Sequence, residues 1–281
     1  MIKTFDSTRC LLGEGAFWHP NIRQFFWFDI ENKKLLTKVE NKKKEWLFDY
    51  SPSACGWVDD QVLLIAFENN LSTFNIKTSE LKNLISLEGD NIITRSNDGR
   101  ADPWGGFWIG TMGKKAESQS GKIYRFFKGR IFELYSNMTI TNSICFSPNK
   151  EYAFYTDTVN KKIMRVKLDN DGWPLKDSEI FIDLTKENLN PDGSVIDLSG
   201  CLWNAQWGAS RVAKYSPEGK FLESIIFPAS QVTCPAFGGD DLKTLFVTSA
   251  SVDLLNSNQN DGVTFAIDLR ISGQKEHQVI L

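Results

Sequence analysis

Histidine is nearly absent from this chain, which has only His19 and His277 among its 281 residues. A serine or cysteine catalytic triad would have to depend on one of these two side chains, and there are too few histidines for a zinc site built from several of them. We therefore expect any chemistry to come from carboxylates, amides and hydroxyls, or from a metal ion that they bind.

The sequence also lacks the marks of a secreted, membrane or nucleic-acid-binding protein. Its five cysteines are irregularly spaced without a CxxC pair, which is typical of buried, reduced thiols in the cytosol. No apolar run is long enough to cross a bilayer, and Met1–Cys10 has no apolar core of a secretory signal, so a cytoplasmic location is expected. The net charge of −3 is scattered, which favours neither a nucleic acid nor a membrane as partner.

Strand-like segments recur along the chain, while helical patterns are nearly missing. Short runs rich in aromatic and β-branched residues alternate with Gly, Asn, Asp and Pro. Glu14–Leu36 aligns without a gap to Asn142–Met164, and Asp29 matches Asp157. Six such units fit the chain without a linker, which predicts an all-β, six-bladed β-propeller that forms one domain over residues 1–281. A β-sandwich would also contain short strands, but it would not explain the repeat.

One position of the repeat carries a side-chain oxygen in all six units. The first strand of each propeller blade lines the central channel, so residues in the same phase converge on one axis. Anchored on Glu14, the phase contains Glu14, Ser53, Asn97, Asn142, Asp192 and Thr233. Each could be a turn former before a strand, although Glu is a poor one. Two carboxylates and two carboxamides without thiolate or imidazole favour a hard divalent cation over a structural zinc site.

Short motifs surround these positions. They are Gly13-Glu14-Gly15, Arg95 with Asn97-Asp98-Gly99, Thr141-Asn142, Pro191-Asp192-Gly193, Phe107–Met112 and Leu202–Gly208. In this order they resemble the regucalcin, or gluconolactonase-like (senescence marker protein), family of sugar lactonases over nearly the whole chain. The resemblance implies a six-bladed propeller and a metal-dependent enzyme that opens an aldonolactone or related sugar lactone to the sugar acid.

The resemblance also implies roles for five residues. Glu14, Asn142 and Asp192 would be ligands of one divalent cation, and Arg95 and Asn97 would bind the oxygens of the substrate. Asp192 is expected either to act as catalytic base toward the attacking water or to orient it. Calcium, magnesium, manganese, iron and zinc all remain open as the cation.

The chain departs from the family pattern at three places. Thr141-Asn142-Ser143 stands where the family has Ser-Asn-Gly, and Ser96 stands where it has an aromatic residue between Arg and Asn; we expect both changes to be tolerated. Some members carry an acidic pair after Gly-Thr-Met, where this chain has Lys114-Lys115 in a polar, lid-like loop over residues 113–121. The two lysines are either solvated, or they attract a carboxylate-bearing lactone together with Arg95, in which case Lys115 is assigned to substrate binding.

Other functions remain open at this level. The same metal could hydrolyse phosphoesters or phosphofluoridates, because the fold does not determine the electrophile. A non-catalytic calcium-binding regulatory protein would not need Arg95 and Asn97 as substrate-facing groups. A propeller for protein interactions is disfavoured because the channel carries possible ligands and no WD-type repeat occurs.

Two expectations concern geometry. Asp98 should point away from the channel if its strand is regular, because side chains alternate along a strand. The ring of blades should be closed by a terminal strand from Met1–Ser7 or Glu276–Leu281. No motif specifies the oligomeric state.

Overall fold

β-strands provide nearly all regular structure of the protein. The computed structural model describes residues 1–40 and 42–281. In this part of the chain six four-stranded antiparallel sheets and one 3-10 turn, Thr158–Asn160, make up the regular elements. The same residues contain no helix that is long and apolar enough to cross a membrane. The six sheets confirm the predicted all-β, six-bladed propeller.

The strands are numbered along the chain, starting with β1 (Lys3–Asp6). Blades 1 and 2 comprise β2 (Gly13–His19), β3 (Gln24–Asp29), β4 (Lys34–Val39), β5 (Lys42–Leu47), β6 (Pro52–Trp57), β7 (Val62–Phe67), β8 (Asn70–Asn75) and β9 (Leu81–Ser86). Blades 3 and 4 comprise β10 (Thr94–Ala101), β11 (Phe107–Gly113), β12 (Gly121–Phe127), β13 (Arg130–Met138), β14 (Thr141–Phe146), β15 (Tyr152–Asp157), β16 (Lys162–Lys167) and β17 (Glu179–Asp183). Blades 5 and 6 comprise β18 (Asn190–Ile196), β19 (Leu202–Trp207), β20 (Arg211–Tyr215), β21 (Phe221–Ile226), β22 (Gln231–Gly238), β23 (Thr244–Ala250) and β24 (Thr264–Asp268).

Burial decreases from the channel outward within a blade. In blade 2 every residue of the innermost strand β6 is buried, whereas the outermost strand β9 is almost wholly exposed. Between blades 1 and 2, Phe17 and Phe28 of one sheet belong to the same apolar cluster as Trp57 and Leu63 of the next. Burial of apolar surface stabilises the fold by about 25 cal/mol per Å², so each blade depends on its neighbours.

The beginning of the chain closes the ring. β1 pairs antiparallel with β24, so blade 6 takes its outermost strand from the N-terminal segment. The Phe5 ring lies 5.5 Å from that of Phe25 in blade 1 and 5.0 Å from that of Phe246 in blade 6. Of the two terminal segments considered for closure, Met1–Ser7 therefore provides the strand and Glu276–Leu281 does not.

The C-terminal segment instead covers the end of the channel at which the innermost strands finish. It contacts every blade from blade 2 to blade 6. Gln274 donates to the carbonyls of Phe146 and Ile196, and the Trp57 indole donates to the carbonyl of Glu276 at 3.0 Å. The Glu276 carboxylate accepts a hydrogen bond from Arg100 at 2.5 Å. This end of the channel is thus closed by a buried ion pair and by main-chain contacts.

Every innermost strand is irregular where it carries its in-phase residue. The pairing register with the second strand shifts between Glu14 and Phe17, Pro52 and Ala54, Ser96 and Gly99, Asn142 and Cys145, Pro191 and Ser194, and Val232 and Pro235. A β-bulge inserts an extra residue and changes the direction of the side chains around it. Each blade therefore presents a bulge, rather than a regular strand, at this level of the channel.

The ion pair between Glu276 and Arg100 makes a testable contribution to stability. Glu276→Ala leaves the Arg100 guanidinium buried without its ion-pair partner, and such a change costs about 3–5 kcal/mol. We expect a correspondingly lower free energy of unfolding in urea titrations. Glu179→Ala is the matched control: Glu179 pairs with Arg165 but is 62% exposed, so a loss below about 1 kcal/mol is expected. Similar losses in both variants would contradict a special role of the C-terminal segment.

Candidate functional site

A cavity of about 430 Å³ opens at the end of the channel where the innermost strands begin. Five of the residues that the sequence predicts for the site line it together, namely Glu14, Arg95, Asn97, Asn142 and Asp192. They come from blades 1, 3, 4 and 5, so only closure of the ring brings them to one place. The convergence inferred from the repeat is therefore present in the structure.

The other two in-phase residues connect blades and do not line the cavity. The hydroxyl of Ser53 is hydrogen-bonded to that of Ser96 in the next blade at 2.7 Å. Thr233 donates its hydroxyl to the carbonyl of Gly13, which links blade 6 to blade 1. The hydroxyl groups of Ser53 and Thr233 are used in hydrogen bonds to neighbouring blades. Four of the six in-phase residues therefore line the cavity, fewer than the sequence suggested.

A chain of hydrogen bonds orients the two carboxamides. Arg95 Nη1 donates to Asn97 Oδ1 at 2.8 Å, and Asn97 Nδ2 donates to Asn142 Oδ1 at 3.1 Å and to the Thr141 carbonyl at 2.8 Å. Asn142 Nδ2 in turn donates to Thr158 Oγ1 at 3.0 Å. Because its Nδ2 is held by Thr158, Asn142 keeps Oδ1 on the side of Asn97 and the cavity.

Two buried carboxyl groups, those of Glu14 and Asp192, line the cavity. Burial raises the pKa of Glu14 to about 8, with a further increase from Asp98, while the Gly15 N–H and Arg95 act in the opposite direction. Burial also raises the pKa of Asp192 well above its usual value, and the charges of Glu14 and Asp98 add to the increase. A divalent cation would relieve this desolvation and repulsion, so the residues fit such an ion.

The donor set is made of hard oxygens. The described residues hold no group of three or more His, Cys, Asp and Glu side chains that is arranged for a metal ion. A cation in the cavity would thus need the amide oxygen of Asn142 beside the carboxylates of Glu14 and Asp192. Oxygen ligands of this kind suit calcium, magnesium or manganese better than a thiolate- or imidazole-preferring ion.

Asp98 is a third carboxyl group of the channel. The condition under which we expected it to point away, a regular strand, is not met, although Asp98 does not line the cavity. The register of β10 shifts between Ser96 and Gly99, so the side chains there do not alternate. Asp98 lies below the cavity, where it accepts the Ile144 N–H at 2.7 Å and raises the pKa of both carboxyl groups above it. The one local sign in the sequence was Gly99, where a Cβ would lie 2.8 Å from the Trp108 carbonyl.

The two lysines of the 113–121 loop differ in position. Lys114 lines the cavity and forms an ion pair with Glu68 at 3.2 Å. Lys115 is not among the lining residues, and its main-chain N–H donates to Glu117 at 2.9 Å. The loop thus brings Lys114 to the cavity, whereas the sequence analysis assigned Lys115 to substrate binding.

Several residues of the cavity mouth were not found from the sequence. Three of them are charged or aromatic, namely Glu31, Trp207 and Asp253. They lie at the ends of second strands or in the loops that follow these strands, where no repeat phase marks them. Burial lowers the pKa of Arg95, and the charges of Glu31, Glu14 and Glu68 counteract this. The mouth therefore balances its positive groups with acidic ones.

The sequence and the fold resemble those of known proteins. The model of the SMP-30/gluconolactonase/LRE-like region matches residues 12–251. A solved calcium-binding protein, regucalcin from Agrobacterium tumefaciens, is 37% identical, with a TM-score of 0.96 over 99% of this chain and 97% of that one. L-arabinolactonase of Azospirillum brasilense is 31% identical over 277 residues, 95% of this chain and 91% of the relative. 6-deoxy-6-sulfogluconolactonase of Pseudomonas putida is 35% identical over 188 residues, 65% of each chain.

The raised pKa of Glu14 predicts a pH dependence of stability. The folded state holds the proton of Glu14 up to about pH 8, while the unfolded state releases it near 4.5, so the metal-free protein loses stability as pH rises between these values. Glu14→Gln keeps the shape and removes the charge. In EDTA it is expected to raise Tm at pH 8.5 by roughly 2–6 °C and to change Tm much less at pH 5.

Calorimetry at the two pH values tests this expectation. Glu45→Gln is the control, because hydrogen bonds from Lys43 and Lys34 lower the pKa of Glu45, and its removal should not stabilise the protein at pH 8.5. A Glu14→Gln protein that melts below the wild type at both pH values would show that the carboxyl group is not under electrostatic strain.

Proposed function

The chain belongs to the SMP-30/gluconolactonase/LRE-like family, and from this membership and the geometry of the cavity we propose that it hydrolyses a sugar lactone with one divalent cation. The observation that carries the proposal is that Glu14, Asn142 and Asp192 converge on a cavity also lined by Arg95 and Asn97. Two relatives are named as lactonases, and a solved relative is named as a calcium-binding protein. These names support a lactone-hydrolysing activity and a divalent cation as cofactor.

Glu14, Asn142 and Asp192 would hold the cation. The chemistry that a bound divalent cation supplies is polarisation of a carbonyl group and acidification of a water molecule. The protein contributes the base: the Asp192 carboxylate orients the attacking water and accepts its proton. After addition of water to the lactone carbonyl, cleavage of the ring C–O bond releases the hydroxy acid, and the departing alkoxide takes up the proton.

Arg95 and Asn97 would position the lactone. The described hydrogen bonds of Arg95 to Ser96 and Asn97 both use Nη1, so Nε and Nη2 can donate to a ring oxygen or hydroxyl of the substrate. Apolar lining residues, among them Met112 and Trp207, would pack against the carbon skeleton of the lactone. Holding the reacting groups in a fixed geometry lowers the entropic part of the barrier.

The charges at the mouth favour a neutral aldonolactone. Lys114 already pairs with Glu68, and Arg95 already faces Glu31 and Glu14. A carboxylate-bearing lactone would have to displace these acidic partners, which opposes its binding. The alternative in which Lys115 draws in an acidic lactone would require a movement of the 113–121 loop, because Lys115 is outside the cavity lining.

A non-catalytic calcium-binding protein is the second candidate. The name of the solved relative favours it, and the same three ligands would serve. It leaves the hydrogen-bonded pair Arg95 and Asn97 beside the ligands without a role. No observation specifically favours a phosphoester or phosphofluoridate as substrate.

Removal of the cation tests the enzymatic proposal. Protein stripped with EDTA is expected to lose hydrolysis of neutral aldonolactones, measured as proton release, and to regain it when calcium, magnesium, manganese or zinc is returned singly. Asp192→Asn should remain about 10²–10⁴-fold less active, whereas the exposed Asp183→Asn should behave as wild type. Tight binding of a cation without turnover of any lactone would favour the calcium-binding protein. Turnover of a phosphate ester or phosphofluoridate alone would favour the phosphoester hydrolase.

A conservative change at Arg95 separates substrate binding from cation binding. Arg95→Lys retains the positive charge near Glu14 but loses the planar fork of donors. We expect KM for a neutral lactone to rise about 10-fold, corresponding to about 1.4 kcal/mol, while the Kd of the cation stays within about 3-fold. Lys115→Ala is the control and should leave KM unchanged. If Arg95→Lys changed the cation Kd and not KM, Arg95 would belong to the cation site alone.

A further inference from the structure

Ser143 has a left-handed backbone conformation in the centre of the propeller. It directly follows Asn142, its φ is +61°, and its side chain is fully buried. The equivalent residue of blade 1, which follows Glu14, is Gly15 with a φ of +57°. A left-handed conformation is unfavourable for any residue with a Cβ, so the serine needs a compensating interaction.

The same contact between blades recurs at this level of the channel. In blade 1 a Cβ on Gly15 would lie 2.3 Å from the Ser53 carbonyl oxygen of blade 2, and in blade 5 a Cβ on Gly193 would lie 2.8 Å from the Thr233 carbonyl oxygen of blade 6. In each case the residue after the in-phase position meets the carbonyl of the in-phase residue in the following blade. A Cβ at either glycine would therefore crowd the facing carbonyl, whereas a hydroxyl at such a junction can donate a hydrogen bond to it.

Ser143 makes this bond between blades 4 and 5. Its hydroxyl donates to the main-chain carbonyl of Asp192, and Asn204 Nδ2 donates to the same carbonyl at 3.1 Å and to Ser143 Oγ at 3.3 Å. Ser194 donates its hydroxyl to Ser143 Oγ at 3.0 Å. The Ser143 hydroxyl thus donates to the Asp192 carbonyl and accepts from Ser194 and Asn204, within a buried polar cluster below the cavity.

The bond joins the main chains that carry two of the candidate ligands. Asn142 precedes Ser143 in β14, and the acceptor carbonyl belongs to Asp192 itself. A second link runs in parallel, because Thr158 Oγ1 accepts from Asn142 Nδ2 and donates to the Pro191 carbonyl at 2.8 Å. Through these two links the separation of the Asn142 amide from the Asp192 carboxylate is set by hydrogen bonds rather than by apolar packing alone.

We propose that Ser143 is a positioning residue, whose hydroxyl holds Asp192 of blade 5 in register with Asn142 of blade 4 for binding of the cation. The inference rests on the proposed function, since it assigns a role toward the same cation. Ser143 does not line the cavity and would act through Asn142 and Asp192. Residues that orient metal ligands typically change metal affinity by 10- to 100-fold when they are replaced.

Two substitutions separate the hydroxyl from the backbone strain. Ser143→Ala loses the hydroxyl and keeps the unfavourable Cβ, whereas Ser143→Gly loses the hydroxyl and removes the strain. We expect both variants to bind calcium or manganese about 10-fold more weakly in isothermal titration calorimetry. In EDTA, Tm should be lower for Ser143→Ala than for Ser143→Gly. The affinity for the cation would then depend on the Ser143 hydroxyl, while the thermal stability would depend on the strain of the backbone at residue 143.

The control removes an equally buried hydroxyl away from the cavity. Thr37 donates to the Phe25 carbonyl at 2.6 Å within blade 1, and Thr37→Val should lower Tm without changing the cation Kd. Wild-type affinity in both Ser143 variants would overturn the positioning role and leave the proposed function intact. An affinity that falls in step with Tm in all three variants would also overturn it. A wild-type protein that binds no divalent cation would contradict the proposed function together with this role.

Discussion

The irregular innermost strand is the constraint on which the site depends. A regular strand would direct alternate side chains to the channel, but each blade has a register shift at its in-phase residue, and the shift sets which side chains reach the axis. The register shift recurs in all six blades, so the six in-phase residues lie at the same depth of the channel. Closure of the ring by β1 then fixes the distance between blades that are far apart in sequence.

Convergence of these side chains concentrates negative charge in a desolvated place. Glu14 and Asp192 face the cavity, Asp98 lies below them, and each raises the pKa of a neighbour or has its own raised by burial. Positive groups are arranged along the same axis: Arg95 lies beside the cavity, and Arg100 lies between Asp98 and the C-terminal Glu276. Arg95 only partly offsets the raised pKa of Glu14, and a divalent cation between Glu14 and Asp192 would relieve the remaining repulsion and desolvation.

Much of this arrangement could be predicted from the sequence, because equivalent positions of the six blades can be recognised from the spacing of residues along the chain. The repeat predicted the six blades, and its phase marked Glu14, Asn142 and Asp192 among six oxygen-bearing residues. The family resemblance then assigned these three as ligands of the cation. Asp98 could not be placed, since a bulge has no reliable local signature and strand alternation does not hold across it. Lys114, rather than Lys115, reaches the cavity. Which of the two does so depends on the conformation of the 113–121 loop, which lies outside the repeat and cannot be predicted from it. Ser143 looked like a tolerated replacement, and its bond to Asp192 depends on the distance between two blades.

The central claim is that blades 1, 4 and 5 supply the three ligands of one cation. A crystal soaked in manganese and measured by anomalous diffraction tests it most directly. The account predicts a single strong peak within coordination distance, about 2.0–2.6 Å, of the side-chain oxygens of Glu14, Asn142 and Asp192, on the cavity side. A cavity without a peak at high manganese concentration, or a peak held only by surface carboxylates, would contradict it.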